Sequence, residues 1–530
     1  MGAVGRRRGV AAARLAETLE GEAPYGVRAR SSALGYAPPP ICVTAHRAAY
    51  PRPRGLALYA IISPPMNAPR SLTEGSISSG MLRFALPILY ANILQSLNGS
   101  VNSIWVGRFL GEAALTATAN ANTVMFLLIG AAMGIAMAAT ILIGQCIGAN
   151  DIAEAKRVVG TSAIFFAALS VVMAILGFVL CEPLLAAMST PAYALPLAVA
   201  YMRVIFLALP FIYMYAFVIS ALRGAGDSKT PFYFMLLSVA IDIALNPLFI
   251  FGWGPVPRLG IAGSALATLL AQAISFTALL RHLYKRRHLL ALHKDEARNL
   301  RVDWTIVGTL VKKGIPMSAQ MLVLSLSSVL MISLVNNFGV DTSAAYGAAL
   351  QLWNYIQMPA FAVGMAVSTM AAQNVGARKW DRVNSIARVG VVFSVVLIGS
   401  LVLIIEILGT RAFELFLPAG SEALRRASHL NHIVTWSFVF FGVSMVLFGV
   451  VRATGAVMAP LFVLTLSLLL VRFPLAEALM SRYQIDAVWW SFPISSALSA
   501  ALAVLYYKYG GWRTARMVGG PTQPVVAPES

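Results

Sequence analysis

From residue 83 onward the chain alternates long apolar stretches with short breaks of Gly, Pro, Asn and charge. Twelve stretches stand out, at 83–106, 116–140, 158–181, 195–221, 231–252, 261–282, 306–336, 343–370, 385–408, 430–451, 456–476 and 486–507. Each is near the ~20 residues that carry a helix across the hydrocarbon core of a bilayer. At bilayer depth no water can satisfy an exposed backbone, so only helices or a closed barrel can span. Apolar runs this long and continuous predict helices. The breaks are short, so no large soluble domain is expected between them.

Composition agrees with this pattern. Of 530 residues, 58% are hydrophobic and 12% charged, with mean hydropathy +0.76, whereas an ordinary globular chain is about a quarter charged. The net charge of +19 would suggest nucleic acid in a soluble protein. Here the distribution matters more. With the N-terminus inside, the even-numbered connections and the C-terminal tail hold 21 Lys+Arg, and the outer connections hold 7, Arg472 among them. Such a bias places both termini in the cytoplasm and sets the basic residues against a membrane face. The expected partner is the lipid bilayer, with no nucleic acid.

Residues 1–80 read as a basic, disordered extension and 511–530 as a disordered tail. Met66 and Met81 offer alternative starts. Cys42, Cys146 and Cys181 have no disulfide or metal-ligand spacing. No GxxxxGK[ST], no HExxH and no nucleophile–base arrangement occurs. The chain is not expected to be an enzyme, and no cofactor or metal is expected. His282, His288 and His293 lie in a basic loop and are expected to be solvated.

The chain also repeats itself. GQCIGANDIAEAKRVVG (144–160) matches AQNVGARKWDRVNSIARVG (372–390), with Gln145 and Gln373, and Gly148 and Gly376, each 228 apart. SALRGAGDSKTPFY (220–233) matches GVVRATGAVMAPLFV (449–463), with Arg223 and Arg452, Gly226 and Gly455, and Pro231 and Pro460 each 229 apart. Six spans per copy keep both copies in one orientation, a parallel repeat about an axis along the membrane normal. The predicted fold is all-α and polytopic: twelve transmembrane helices in two six-helix lobes, 81–290 and 304–510, joined by a linker to about 303. A cleft between such lobes can open to either side if they rock.

One carboxylate lies where a charge is expensive. In SVAIDIALNPLFIFGWG (238–254), Asp242 sits in the central part of the fifth span, with Asn246 one turn later on the same face. A charge at a helix centre costs roughly 2.5–3.5 kcal/mol on insertion scales. Glu182, Glu406 and Glu477 lie near helix ends, where they can snorkel. At the repeat offset from Asp242 stands Val471, so the carboxy-terminal lobe lacks an equivalent acid.

The strings VNSIWVGRFLGEAAL (101–115), GQCIGAND (144–151), LRGAGDSKTP (222–231), NPLFIFGWG (246–254), LGIAGSALAT (259–268) and AAQNVGAR (371–378) resemble the multidrug and toxic compound extrusion (MATE) family. The resemblance covers about residues 80–510. It implies a central substrate cavity and export of amphipathic, often cationic organic molecules against inward H+ or Na+ flow. It also implies an ion site in the first lobe. Where the family usually has Asp on the first helix, this chain has Asn102. Where the fifth helix usually has Asn and then Asp, this chain has Asp242 and then Asn246, which moves the carboxylate one turn, about 6 Å. The usual Thr of the sixth helix is matched by Thr268. Counting from the outer loops puts Asn102, Asn246 and Thr268 at similar depth, with Asp242 one turn deeper. Four oxygen donors and one charge suit either Na+ or a proton.

Trp353, Tyr355 and Met358 in QLWNYIQMPAF (351–361), with Tyr213 and Tyr215, are candidates to stack on a flat organic cation. The reading is a monomeric, ion-coupled exporter of small organic compounds in a bacterial inner membrane. A lipid-linked sugar flippase is the alternative. Such flippases tend to have extra helices and a strongly cationic cleft, whereas the spans here have no central Lys or Arg except Arg203, toward the outer end of the fourth.

Overall fold

The structure, a computed structural model, describes residues 72–188, 190–252, 257–292, 296 and 299–517, all in one compact unit. The expectations for residues 1–71 and 518–530, and for Cys42 and His293, lie outside the described residues. The described residues form helices and no strands.

The amino-terminal lobe consists of α1 (Ile77–Leu110), α2 (Glu112–Gly148), α3 (Ile152–Ala187), α4 (Leu195–Gly224), α5 (Lys229–Phe251) and α6 (Ile261–Lys285). The carboxy-terminal lobe consists of α7 (Trp304–Asn336), α8 (Val340–Gly376), α9 (Trp380–Leu408), α10, α11 and α12 (Ile485–Tyr509). α10 is made of Glu422–Val434 and Ser437–Ala453, which meet at a 45° bend. α11 runs over Met458–Tyr483 and contains a π-helical turn at Leu466–Val471. Eleven helices are long and apolar enough to span, and the bent pair makes twelve.

The outer surface of the bundle is apolar, with Val179 and Ile407 well exposed at 69% and 83%. Such a surface suits lipid rather than water. Pro87 in α1 and Pro316 in α7 occupy matching places in the two lobes. Membrane helices tolerate such interruptions because neighbouring groups satisfy the freed carbonyls.

The repeat is visible in backbone geometry. α2 and α8 end alike, and the residues that follow, Asn150 and Arg378, both have φ 59°. The connections after α4 and α10 turn at Gly226 (φ 91°) and Gly455 (φ 101°), a region that glycine enters without a Cβ clash. Packing repeats as well: α2 lies on α4 and α4 on α6, as α8 lies on α10 and α10 on α12. α2 also lies against α7 and α8, and α1 against α8, so these four helices carry most of the contact between lobes.

The expected boundaries shift at both ends. α1 begins at Ile77, and the residues before it are bound across the molecule. Leu72 N–H donates to Gln373 Oε1 at 3.1 Å, and Lys379 Nζ donates to the Thr73 carbonyl at 3.0 Å. The start of the expected tail is also ordered. Trp512 is fully buried, stacked on Tyr507 with ring centroids 5.0 Å apart, and its carbonyl accepts from Thr454 Oγ1 at 2.8 Å. Burying an indole gives even a short basic segment a reason to pack.

The linker is stapled to α3. Lys156 pairs with Glu296 at 2.7 Å, Arg157 pairs with Asp303, and Thr161 Oγ1 donates to the Arg301 carbonyl at 2.9 Å. Asp303 also caps α7, accepting from Thr305 N–H at 2.8 Å. Burial opposes ionisation of Asp303, but these N–H groups and Arg157 outweigh it and hold the carboxyl below its ordinary range. His288, expected in solvent, is partly buried, and its Nδ1 accepts from Leu290 N–H at 3.2 Å.

Candidate functional site in the amino-terminal lobe

α1 and α5 run in the same direction side by side, and α6 packs on α5. Their polar residues form two layers. In the deeper layer, Asp242 is 4% exposed. Its Oδ2 accepts from Asn98 Nδ2 at 2.9 Å, and its Oδ1 accepts from Thr268 Oγ1 at 3.1 Å. One turn toward the outer end lies the second layer, where Ser264 Oγ donates to Asn102 Oδ1 at 2.7 Å. The buried Tyr201 hydroxyl shares a hydrogen bond with Asn102. Asn246 belongs to this layer and reaches back, Nδ2 donating to the Asp242 carbonyl at 3.1 Å. Its Oδ1 is buried and has no hydrogen-bond partner.

The structure therefore joins Asp242 to Thr268 as the sequence suggested, but not to Asn102. Asn98 takes that place. The reason is register. Asp242 lies one turn deeper than Asn246, so its neighbour on the parallel α1 is also one turn deeper. Asn98 stands four residues before Asn102, as Asp242 stands four before Asn246. That i−4 relation was present in the sequence as the signal for Asn98. Ser264 and Tyr201 carried no such mark.

Among the described residues no Lys, Arg or His forms an ion pair with Asp242. Its carboxylate is held by an amide and a hydroxyl. Such a site can accept a small cation or a proton, since neither has to displace a fixed positive charge. Hydrogen bonds to an ionised group are worth ~1.5–3 kcal/mol each, which helps a buried carboxylate survive between occupants.

The carboxy-terminal lobe differs. Arg472, counted from the sequence with the outer connections, lies inside α11 directly after the π-helical turn. Its Nε donates to Ser495 Oγ at 2.7 Å and its Nη2 to Ser496 Oγ at 3.3 Å, with Cζ 4.5 Å from the centre of the Phe492 ring. The expectation that Arg203 is the one cation within the spans is thus corrected. Arg472 lies near the outer end of the 456–476 stretch, and the π-turn that carries the helix on to Tyr483 leaves no mark in the pattern.

The five candidate substrate residues do not form one site. Tyr213 is buried in the core of the amino-terminal lobe, its hydroxyl donating to the Leu128 carbonyl at 2.8 Å. Tyr215 is buried in a separate cluster with Leu222, Leu279 and Leu283. Trp353 is 1% exposed and packed among Tyr346, Phe438 and Phe492. Tyr355 is exposed and Met358 partly so. Residues two apart on a helix face away from each other, which separates Tyr213 from Tyr215 and Trp353 from Tyr355.

The matched glutamines clasp the lobes together. Gln145 Nε2 donates to the Ala453 carbonyl at 2.7 Å, and Gln373 Nε2 donates to the Gly224 carbonyl at 2.9 Å. Gly148 and Gly376 let the helices meet: a Cβ on either would lie within 2.0 Å of a backbone oxygen across the interface. Ser318 Oγ adds a bond to the Ala131 carbonyl at 2.6 Å. The glutamine bonds lie toward the end that carries the Lys/Arg-rich connections.

Comparison with known proteins accords with this arrangement. The MatE family matches residues 87–248 and 316–477, two copies whose limits are displaced by 229. The chain is 37% identical over 439 residues to the probable multidrug resistance protein YoeA of Bacillus subtilis strain 168, covering 82% of this chain and 95% of the relative. It is 31% identical to the probable multidrug resistance protein YpnP of the same organism, covering 84% and 98%. An outward-facing structure of a multidrug resistance MATE family transporter of the MOP superfamily superposes with TM-score 0.77 at 20% identity, covering 83% of this chain and 97% of that one. Two homologous six-helix lobes, a buried carboxylate without a cationic partner, and both copies of the family pattern identify the chain as a member of the MATE family of multi-pass membrane transporters.

Proposed function

We propose that the protein is a secondary antiporter that exports small amphipathic, cationic organic compounds in exchange for H+ or Na+, with Asp242 as the coupling group. One observation carries this reading: Asp242 is buried within the apolar α5, bound by Asn98 and Thr268 and without an ion-pair partner among the described residues. The relatives' description as multidrug resistance proteins supports the substrate class. When Asp242 is ionised, its oxygens accept from Asn98 and Thr268. When it takes a proton, it becomes a donor, and Asn246 Oδ1, one turn away, is an acceptor without a partner. A sodium ion would use the same oxygens as ligands, since hard cations prefer oxygen. Either occupant neutralises the site, which lowers the barrier to moving it between environments as the lobes rock.

The coupling ion is tested with purified protein in vesicles, by imposing a pH gradient and a Na+ gradient separately and following a fluorescent cationic dye. One gradient alone should drive export. Dye movement driven by neither would overturn the proposal. A double variant, Asp242→Asn with Asn246→Asp, moves the carboxylate into the layer of Asn102 and Ser264 at constant charge. It should recover part of the transport that the single Asp242→Asn change removes.

A further inference from the structure

Arg472 holds a fixed charge inside the carboxy-terminal lobe, close to where the repeat places Asp242 in the other. Its contacts are two serine hydroxyls and the face of Phe492. These groups orient a guanidinium but do not cancel its charge. Three acids of this lobe are engaged elsewhere: Glu406 with Asn431 and His432, Asp486 with His429, and Glu422 with Arg425 and Arg426. Among the described residues no carboxylate pairs with Arg472. Charges at this depth are ordinarily paired or functional.

A second observation in the same cluster points the same way. Trp353 is 1% exposed and its indole N–H has no acceptor. The Trp353 ring lies 5.8 Å from Phe492, the ring over which Arg472 stacks. Tyr346 adjoins both, 5.9 Å from Trp353 and 6.5 Å from Phe492. Arg and Trp can donate but not accept. The cluster thus offers donors and aromatic faces and lacks an anion. A π-helical turn at Leu466–Val471 directly precedes Arg472, and such turns occur frequently at functional sites. Arg472 itself is partly accessible, so a ligand can reach it.

We propose that Arg472, at the edge of the aromatic cluster that holds Trp353, binds the anionic group of aromatic organic substrates, such as a carboxylate or phosphate. This inference rests on the exporter reading and extends its substrate class. With Asp242 in one lobe and Arg472 in the other, the protein takes zwitterions and organic anions in addition to cations. The guanidinium fork matches a carboxylate or phosphate in two-point contact.

The test uses a carboxylate-bearing xanthene dye and its ethyl ester, which share one aromatic body and differ in the anionic group. Binding of each to the full-length protein in detergent is measured by fluorescence anisotropy. Arg472→Gln should weaken the acid about tenfold or more, the loss expected for one charge-assisted contact, and leave the ester within twofold. Arg472→Lys, which keeps the charge, should retain most of the acid's affinity. Trp353→Phe, which keeps a ring and removes the N–H, should weaken the acid more than the ester. Equal losses for acid and ester in Arg472→Gln, or wild-type binding of the ester without the acid, would overturn the inference and leave the exporter reading standing. Protection of the site by inorganic phosphate as strong as that by the acid would also overturn it, since the occupant would then be a free anion. If wild-type protein binds neither dye, the exporter reading fails and this inference falls with it.

Discussion

Asp242 carries the one interior carboxylate of the amino-terminal lobe, and amides and hydroxyls surround it. That arrangement makes its neighbours unequal. Asn98 touches the carboxylate, and Asn102 touches Ser264 instead. Asn98→Ala should therefore impair ion-driven export more than Asn102→Ala, by roughly tenfold for one hydrogen bond to a charged group. Side-by-side efflux rates in vesicles check this, and the reverse order would mean that the carboxylate works from the outer layer. Asp242 and Asn246 were legible because polar residues in an apolar run are conspicuous, and Thr268 because it matches the family's usual sixth-helix Thr. Asn98 was obscured because Asn102 matched the family pattern and drew the assignment one turn outward. Arg472 was misplaced because it lies four residues from the outer end of the 456–476 stretch and was counted with the connection that follows.

At the scale of elements, the linker between the lobes is held by a device that titrates. Asp303 caps α7 and pairs with Arg157. Its carboxyl is held below its ordinary range, so its contribution is fully present above the unfolded value, ~3.9. It is lost as pH falls through the lower folded value. Linker protection from protease should thus be unchanged between pH 8 and pH 5. Asp303→Ala should cost about 1 kcal/mol through the lost cap. Asp303→Asn, which can still cap but cannot pair with Arg157, should cost less. Thermal unfolding of the purified variants orders them. The twelve spans and their repeat were plain in the pattern of apolar runs, because spanning length and constant offset are properties of sequence spacing. The bend in α10, the π-turn in α11 and the packing of Trp512 arise from contacts between elements, and local spacing does not encode them.

For the whole molecule, the clasp formed by Gln145, Gln373, Gly148 and Gly376 closes the lobes at one end. Gly148→Ala places a methyl group against the Gln373 backbone, with a contact of 1.8 Å unless the helices part. Overpacking of this kind costs ~1–3 kcal/mol. It should shift the protein toward opening at that end, read as faster labelling of a single cysteine placed at Ala372. An unchanged labelling rate would show that the glycine serves local packing alone. Orientation is a separate expectation, drawn from the Lys/Arg bias. In a cysteine-free background, an impermeant reagent should reach a cysteine at Pro191 from outside and one at Lys294 from inside, and the opposite pattern would invert the topology. The proposed coupling group is Asp242. Its most direct test is dye export by Asp242→Asn protein in vesicles under an imposed ion gradient, with dye binding measured on the same preparation. The account predicts that binding survives and gradient-driven export is lost. Full export by this variant at the wild-type rate would contradict it and leave Asp242 as a packing residue.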